Sequence, residues 1–245
     1  MSMYEGITEG DFGKSTKKRL PICFCLDVSG SMISPMANGG TRIGELNRAY
    51  DRFITTMKNN AEVAKSADIA IVTFGGKVDI VKQFASLEKQ EFTEIQVNSR
   101  SFTPMGDGIS VALQLLEKRK EAYKLRGIKY FQPWLVVITD GEPEGPNAAE
   151  NYEMALQRVN MLEQQNKLVV FNIAIGTDCN FSNLKRLSCK NSEPIYVSES
   201  NDFNKFFKYL GSSSSSIISG QSTENDIINN RTLPKGEKMD ISKFL

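Results

Sequence analysis

Leu20-Pro21-Ile22-Cys23-Phe24-Cys25-Leu26-Asp27-Val28-Ser29-Gly30-Ser31-Met32 is the stretch from which the fold can be read. Its first half is apolar without a break from Ile22 to Leu26, the pattern of a central parallel strand covered on both faces. Its second half sets three oxygen-bearing side chains, Asp27, Ser29 and Ser31, at alternate positions. In an extended chain a period of two brings them to one side. Gly30 lets the backbone turn between them with no Cβ in the way. One carboxylate and two hydroxyls on a turn form a hard-oxygen half-site suited to Mg²⁺.

Downstream, strand-like and helix-like segments alternate. Ile43, Leu46, Tyr50, Phe53, Ile54 and Met57 recur at helical spacing, with the helix start near Thr41 or Arg42. Asp68–Phe74 reads as a second strand. The Gly75-Gly76 link is short enough to require an antiparallel hairpin, so Lys77–Phe84 is expected at a sheet edge. Thr103 precedes Pro104 and is biased to extended backbone, at the mouth of a helix carrying Ile109, Ala112, Leu113 and Leu116. Trp134–Thr139 is a fourth strand ending in Asp140-Gly141. Asn147–Gln165 is an amphipathic helix, Leu168–Ile175 a fifth strand, Phe181–Leu187 a short helix and Pro194–Val197 a last short strand. A closing helix begins around Phe203. Ser212–Ser216 either continue it or begin a flexible linker, and the division adopted is an arm over 1–19, a domain over 20–211, and a Ser-rich linker and polar tail over 212–245.

Strands alternating with helices predict a doubly wound, Rossmann-like α/β fold, with a mostly parallel central sheet, one antiparallel edge strand and helices on both faces. Ligands in such folds bind beyond the carboxyl ends of the strands, where the strand order reverses. In the order 3-2-1-4-5-6, the first and fourth strands are neighbours at that point. Asp27 and Asp140, more than 100 residues apart, would then meet in one crevice.

Composition removes several classes of function. The 245 residues carry a formal charge of +1 from 30 basic and 29 acidic side chains, so there is no electrostatic footprint for nucleic acid or an anionic membrane. No apolar run approaches the ~20 residues of a membrane span, and the N-terminal residues lack the apolar core of a secretory signal. A cytoplasmic location is therefore expected. The chain contains no histidine, which excludes Ser-His-Asp and Cys-His catalysis and His-ligated zinc. Cys23 and Cys25 read as core residues, and Cys179 and Cys189 are not spaced as a metal-binding pair. Thr8–Ser15 (TEGDFGKS) nearly matches a phosphate-binding loop, but it lacks the first glycine, a preceding strand and a following amphipathic helix, and is read as a chance match.

The pattern D-x-S-x-S, a threonine in a second loop and an aspartate after the fourth strand resembles the von Willebrand factor A domain over about Leu20 to Leu210. All five positions of that family's metal-ion-dependent adhesion site (MIDAS) have a counterpart: Asp27, Ser29, Ser31, Thr103 and Asp140. The segments TPMGDGI (103–109) and VVITDGEP (136–143) are similar to the bacterial cytoplasmic TerY-like branch, associated with tellurite and stress resistance. The resemblance implies a site for Mg²⁺, with Mn²⁺ or Ca²⁺ as alternatives. The ion would coordinate a Glu or Asp carboxylate on a partner protein such as a kinase, phosphatase or ATPase, without catalysis. The rival is a Mg²⁺-dependent hydrolase of the haloacid-dehalogenase type. That chemistry uses D-x-D with the second aspartate as general acid, a position held here by Ser29. Glu142 and Glu144 are the spare carboxylates nearest Asp140 and are expected to be solvated loop charges.

Overall fold

The computed structural model describes residues 17–226, except 38, 99–101, 177–178, 190–193, 199 and 224. The phosphate-loop-like segment at 8–15 and the polar tail from 227 lie outside the described residues. Strand β1 (Leu20–Asp27) is buried along its whole length. Its alternation splits the core in two. Leu20, Ile22, Phe24 and Leu26 face one helical layer, and Cys23 and Cys25 face the other. Both cysteines are fully buried thiols, as expected from the sequence.

The first layer contains α1 (Arg42–Lys58) and α6 (Ser200–Ile218). Phe24 meets Tyr50 and Phe53 of α1 edge-on, with ring centroids 5.4 and 5.8 Å away, and Phe207 of α6 at 6.0 Å. The second layer contains α3 (Met105–Leu125) and α4 (Ala148–Gln164), whose Ile109, Leu113, Leu156 and Val159 pack on Cys23, Cys25 and Val137, and the short α5 (Phe181–Lys185), which adds Leu184.

Among the described residues one sheet runs in the order β3-β2-β1-β4-β5-β6. Its other strands are β2 (Ala67–Gly75), β3 (Lys77–Ser86), β4 (Trp134–Thr139), β5 (Val169–Ile175) and β6 (Ile195–Val197). All neighbouring pairs are parallel except β2 with β3, the edge hairpin that the glycine link requires. This is the expected α/β architecture. Register pairs Leu26 with Ile138, so the ends of β1 and β4 lie side by side at the reversal of strand order. Among the described residues no helix is long and apolar enough to cross a membrane.

Two features depart from the sequence reading. A short helix, α2 (Ala61–Ser66), precedes β2 and is capped by Asn60, whose Oδ1 accepts the Glu62 and Val63 N–H groups at 3.0 and 3.2 Å. Six residues contain too little periodicity to announce a helix. The expected linker at 212 is instead helical, because α6 continues through the serine run to Ile218. Ser214 and Ser215 donate their hydroxyls to the carbonyls four residues back, Leu210 and Gly211, at 2.8 and 2.9 Å, which satisfies these polar groups inside a helix. Ser213, Ser214 and Ile217 are buried, so the run belongs to the core rather than to a linker.

At the opposite end of the sheet from Asp27, Asp68 at the start of β2 is fully buried between two arginines. Arg19 forms an ion pair with its Oδ1, Arg119 of α3 donates to its Oδ2 at 2.7 and 3.1 Å, and the Tyr123 hydroxyl donates to the same oxygen. This cluster joins the lead-in to β1, the start of β2 and the last turns of α3.

A candidate metal centre at the switch of strand order

The site begins with the geometry of the β1 end. Asp27 is fully buried, and its two carboxylate oxygens are used locally. Oδ1 accepts the Ser29 N–H at 2.8 Å, which curls the chain into the turn, and Oδ2 accepts the Thr139 hydroxyl of β4 at 2.5 Å. The turn continues as a short 3-10 segment, Gly30–Ile33. Gly75 at the end of β2 lies against this turn. A Cβ there would come within 2.7 Å of the Val28 carbonyl carbon and 2.8 Å of the Ser29 nitrogen, so only glycine lets β2 lie this close to the loop.

The oxygens then form a chain. Ser29 Oγ lies 3.0 Å from Ser31 Oγ, and the Ser31 hydroxyl donates to Asp140 Oδ1 at 2.7 Å. Asp140 Oδ2 is held by Arg42 Nη1 at 2.5 Å in an ion pair with almost no solvent exposure. Arg42 is the first residue of α1, and Thr41 caps that helix by accepting the Gly44 N–H at 3.2 Å, so the cap fixes where the arginine starts.

Thr103 is buried, and its backbone ties the neighbouring loops together. Its carbonyl accepts the Glu144 N–H at 3.0 Å from the loop after β4, and the adjacent Phe102 carbonyl accepts the Gly76 N–H at 2.7 Å. The structure thus joins Asp27, Ser29, Ser31 and Asp140 directly or through Thr139, and sets Thr103 at the start of α3, in a loop bonded to the one that follows Asp140. Ser31 is exposed while the other four are buried, so the cluster opens to solvent at Ser31. Ile33 and Phe102 are 50% and 58% exposed, an unusual amount for such side chains, and sit in the loops that carry Ser31 and Thr103. Glu142 is exposed and accepts from Asn180 at 2.5 Å. Glu144 is also exposed, and neither carboxylate enters the oxygen chain.

The donor set fits a small hard cation. Oxygens bound to one Mg²⁺ at ~2.1 Å in an octahedron lie ~3.0 Å apart when adjacent. The 3.0 and 2.7 Å separations along Ser29, Ser31 and Asp140 match that edge. No group of three or more His, Cys, Asp or Glu side chains that could hold a metal occurs among the described residues, which leaves a hydroxyl-rich oxygen set. Two of the contributors were not legible in the sequence. Thr139 is hidden at the end of a fully apolar strand. Arg42 was recognised as a helix-start residue, but its reach to Asp140 spans 98 positions.

Burial pushes the Asp27 carboxyl up to about 6, helped by the nearby Asp140 charge and opposed by the hydrogen bonds from Ser29 and Thr139. With the folded value above the unfolded one, the folded state holds this proton more tightly. In metal-free solution Asp27 therefore contributes stability that is complete below about pH 4 and is lost as the pH rises through about 6, on the order of 2–3 kcal/mol. The wild-type melting temperature in EDTA is expected to fall relative to that of Asp27→Asn between pH 4 and pH 7. A constant difference across that range would show that Asp27 does not titrate there.

A model of the von Willebrand factor type A domain matches residues 22–210. Comparison with curated proteins found no match. Among solved structures, a von Willebrand factor type A protein from Catenulispora acidiphila superposes with a TM-score of 0.58 at 15% identity, covering 81% of this chain and 43% of that one. BatB from Bacteroides thetaiotaomicron gives 0.52 at 18% identity, covering 82% of this chain and 99% of that one. Proximal thread matrix protein 1 from the mussel byssus, in a structure with a zinc-occupied MIDAS motif, gives 0.53 at 18% identity, covering 80% and 46%. The chain thus spans less than half the length of the mussel and Catenulispora proteins. At these identities the superpositions show a shared fold and nothing further.

Proposed function

Because the chain belongs to the von Willebrand factor type A family, we propose that it is a metal-dependent protein-binding module whose ligand is a carboxylate on a partner protein. The observation that carries this reading is the continuous oxygen chain Ser29, Ser31, Asp140 at 2.7–3.0 Å, open to solvent at Ser31. Ser29, Ser31 and Thr103 would hold the ion, with Asp27 and Asp140 binding it directly or through water. The chemistry that a bound divalent cation supplies is an open coordination position for one further oxygen. The zinc-occupied motif of the mussel protein supports a divalent ion in this crevice, and an all-oxygen donor set suits Mg²⁺, with Mn²⁺ or Ca²⁺ as alternatives.

The chain's own residues define what can dock. Each Asp27 oxygen accepts a hydrogen bond, one from the Ser29 N–H and one from the Thr139 hydroxyl, and the carboxylate so orients the turn. Ser31 provides the accessible edge. Ile33 and Phe102 add exposed apolar surface in the same loops, suited to a partner that surrounds its acidic residue with apolar side chains. Hydrolysis is the weaker reading, because Ser29 stands where a general acid would be needed and both spare glutamates point to other loops or solvent. A cytoplasmic location is part of this reading, and the buried thiols of Cys23 and Cys25 suit a reducing compartment. The segments at 103–109 and 136–143 support a TerY-like role in a stress-resistance complex, with a kinase, phosphatase or ATPase as partner.

The test is affinity capture from a native lysate in Mg²⁺ or EDTA, with wild type and Asp140→Ala compared after a circular dichroism check of folding. A partner retained only by wild type with metal is the expected result. Equal capture in every lane would place the interface away from the crevice and reject the reading.

A further inference from the structure

Building on that reading, we propose that Arg42 is a tethered cation that sets the metal affinity of the site by competing with the ion for Asp140. The guanidinium is bonded to Asp140 Oδ2 at 2.5 Å, while the other oxygen of the same carboxylate receives the Ser31 hydroxyl at 2.7 Å. The two oxygens of one carboxylate are about 2.2 Å apart, so a cation on Oδ1 would stand within about 5–6 Å of the arginine charge. Both side chains of the pair are nearly sealed from solvent, so little water screens that repulsion.

The anionic charge available to the ion is correspondingly reduced. Asp27 and Asp140 are the carboxylates of the hydrogen-bonded cluster, and Arg42 offsets one of them. Such a site binds a divalent ion weakly when alone. It then carries excess positive charge, which a partner carboxylate cancels, so metal and partner favour each other's binding. Arg42 is held in place by a helix start rather than a free loop, so its charge is a permanent part of the crevice. Arginine also cannot discharge by losing a proton at physiological pH.

The variant Arg42→Gln removes the charge while keeping a polar, hydrogen-bonding side chain at the helix start. Arg42→Lys keeps the charge with a different donor geometry. Binding of Mn²⁺ alone is followed at pH 7.5 by the loss of the free-ion electron paramagnetic resonance signal, with folding checked by thermal melting. The expected result is an affinity at least tenfold tighter for Arg42→Gln, with Arg42→Lys within threefold of wild type. Wild-type binding with equal or weaker binding by a folded Arg42→Gln would overturn the role of Arg42 and leave the metal site standing. If neither wild type nor Arg42→Gln binds Mn²⁺, the metal-centre reading itself fails, and this inference with it.

Discussion

Replacing Ser29 and Ser31 together by alanine is expected to weaken Mg²⁺ or Mn²⁺ binding by at least ~100-fold while the melting temperature falls by no more than about 8 °C. The two hydroxyls supply two of the three oxygens whose spacing matches an octahedral edge. Alanine removes both donors and introduces no bulk. The structural cost is the loss of the hydroxyl hydrogen bonds of Ser31 to Asp140 and of Ser29 to Ser31 and Asp27, about 1–2 kcal/mol together, while the turn itself is still held by the Ser29 N–H. Carboxylate variants are less discriminating. Asp140→Ala strands a buried Arg42, and Asp27→Ala leaves the Ser29 N–H and Thr139 hydroxyl without their acceptor, so both mix folding with binding. Isothermal titration of the EDTA-stripped, re-dialysed proteins measures the effect. Binding unchanged in the double variant would mean that the ion, if bound, sits elsewhere.

Asp68→Ala is expected to destabilise the fold by about 3–5 kcal/mol, a drop of about 8–15 °C in melting temperature for a domain of this size. Removing this one carboxylate leaves the buried charges of Arg19 and Arg119 and the hydroxyl of Tyr123 without their common partner. The cost arises from uncompensated burial rather than from the attraction itself. An exposed pair gives the contrast. Glu153 and Arg186 lie 2.6 Å apart with about half of each side chain in solvent, and Glu153→Ala is expected to cost less than about 1 kcal/mol. Thermal and urea melts at matched ionic strength compare the two. A loss below about 1 kcal/mol in Asp68→Ala would mean that the arginines reach solvent once released. Asp68 pairs with Pro21 near the N-terminal end of β1, six residues or roughly 20 Å along the strand from Asp27, so metal affinity in Asp68→Ala should follow the folded fraction alone.

Strong local periodicity carried the fold. Largely apolar runs end at Asp27, Thr139 and Ile175, and the Gly75-Gly76 link admits only a hairpin. These features were enough for the strands and the antiparallel edge, and the strand order common to doubly wound folds, which is the one found, then brought Asp27 toward Asp140. They sufficed because a strand's face and a link's length are properties of neighbouring residues. The serine run shows the limit of composition. A stretch that reads as a linker by residue type becomes a buried helix because its hydroxyls bond back to the carbonyls of Leu210 and Gly211, and because Ile217 packs into the core.

The sequence by itself determined which oxygens could form the site and at which end of the sheet they gather, since the alternate spacing of Asp27, Ser29 and Ser31 and the strand pattern are local. Only the tertiary structure decided how those oxygens are charged and used. Thr139 takes one oxygen of Asp27, Arg42 takes one oxygen of Asp140, and burial moves the Asp27 carboxyl toward neutrality. Each of these depends on side chains about 100 positions apart meeting where water is excluded. Coulomb forces and desolvation act through space, and no spacing along the chain records them.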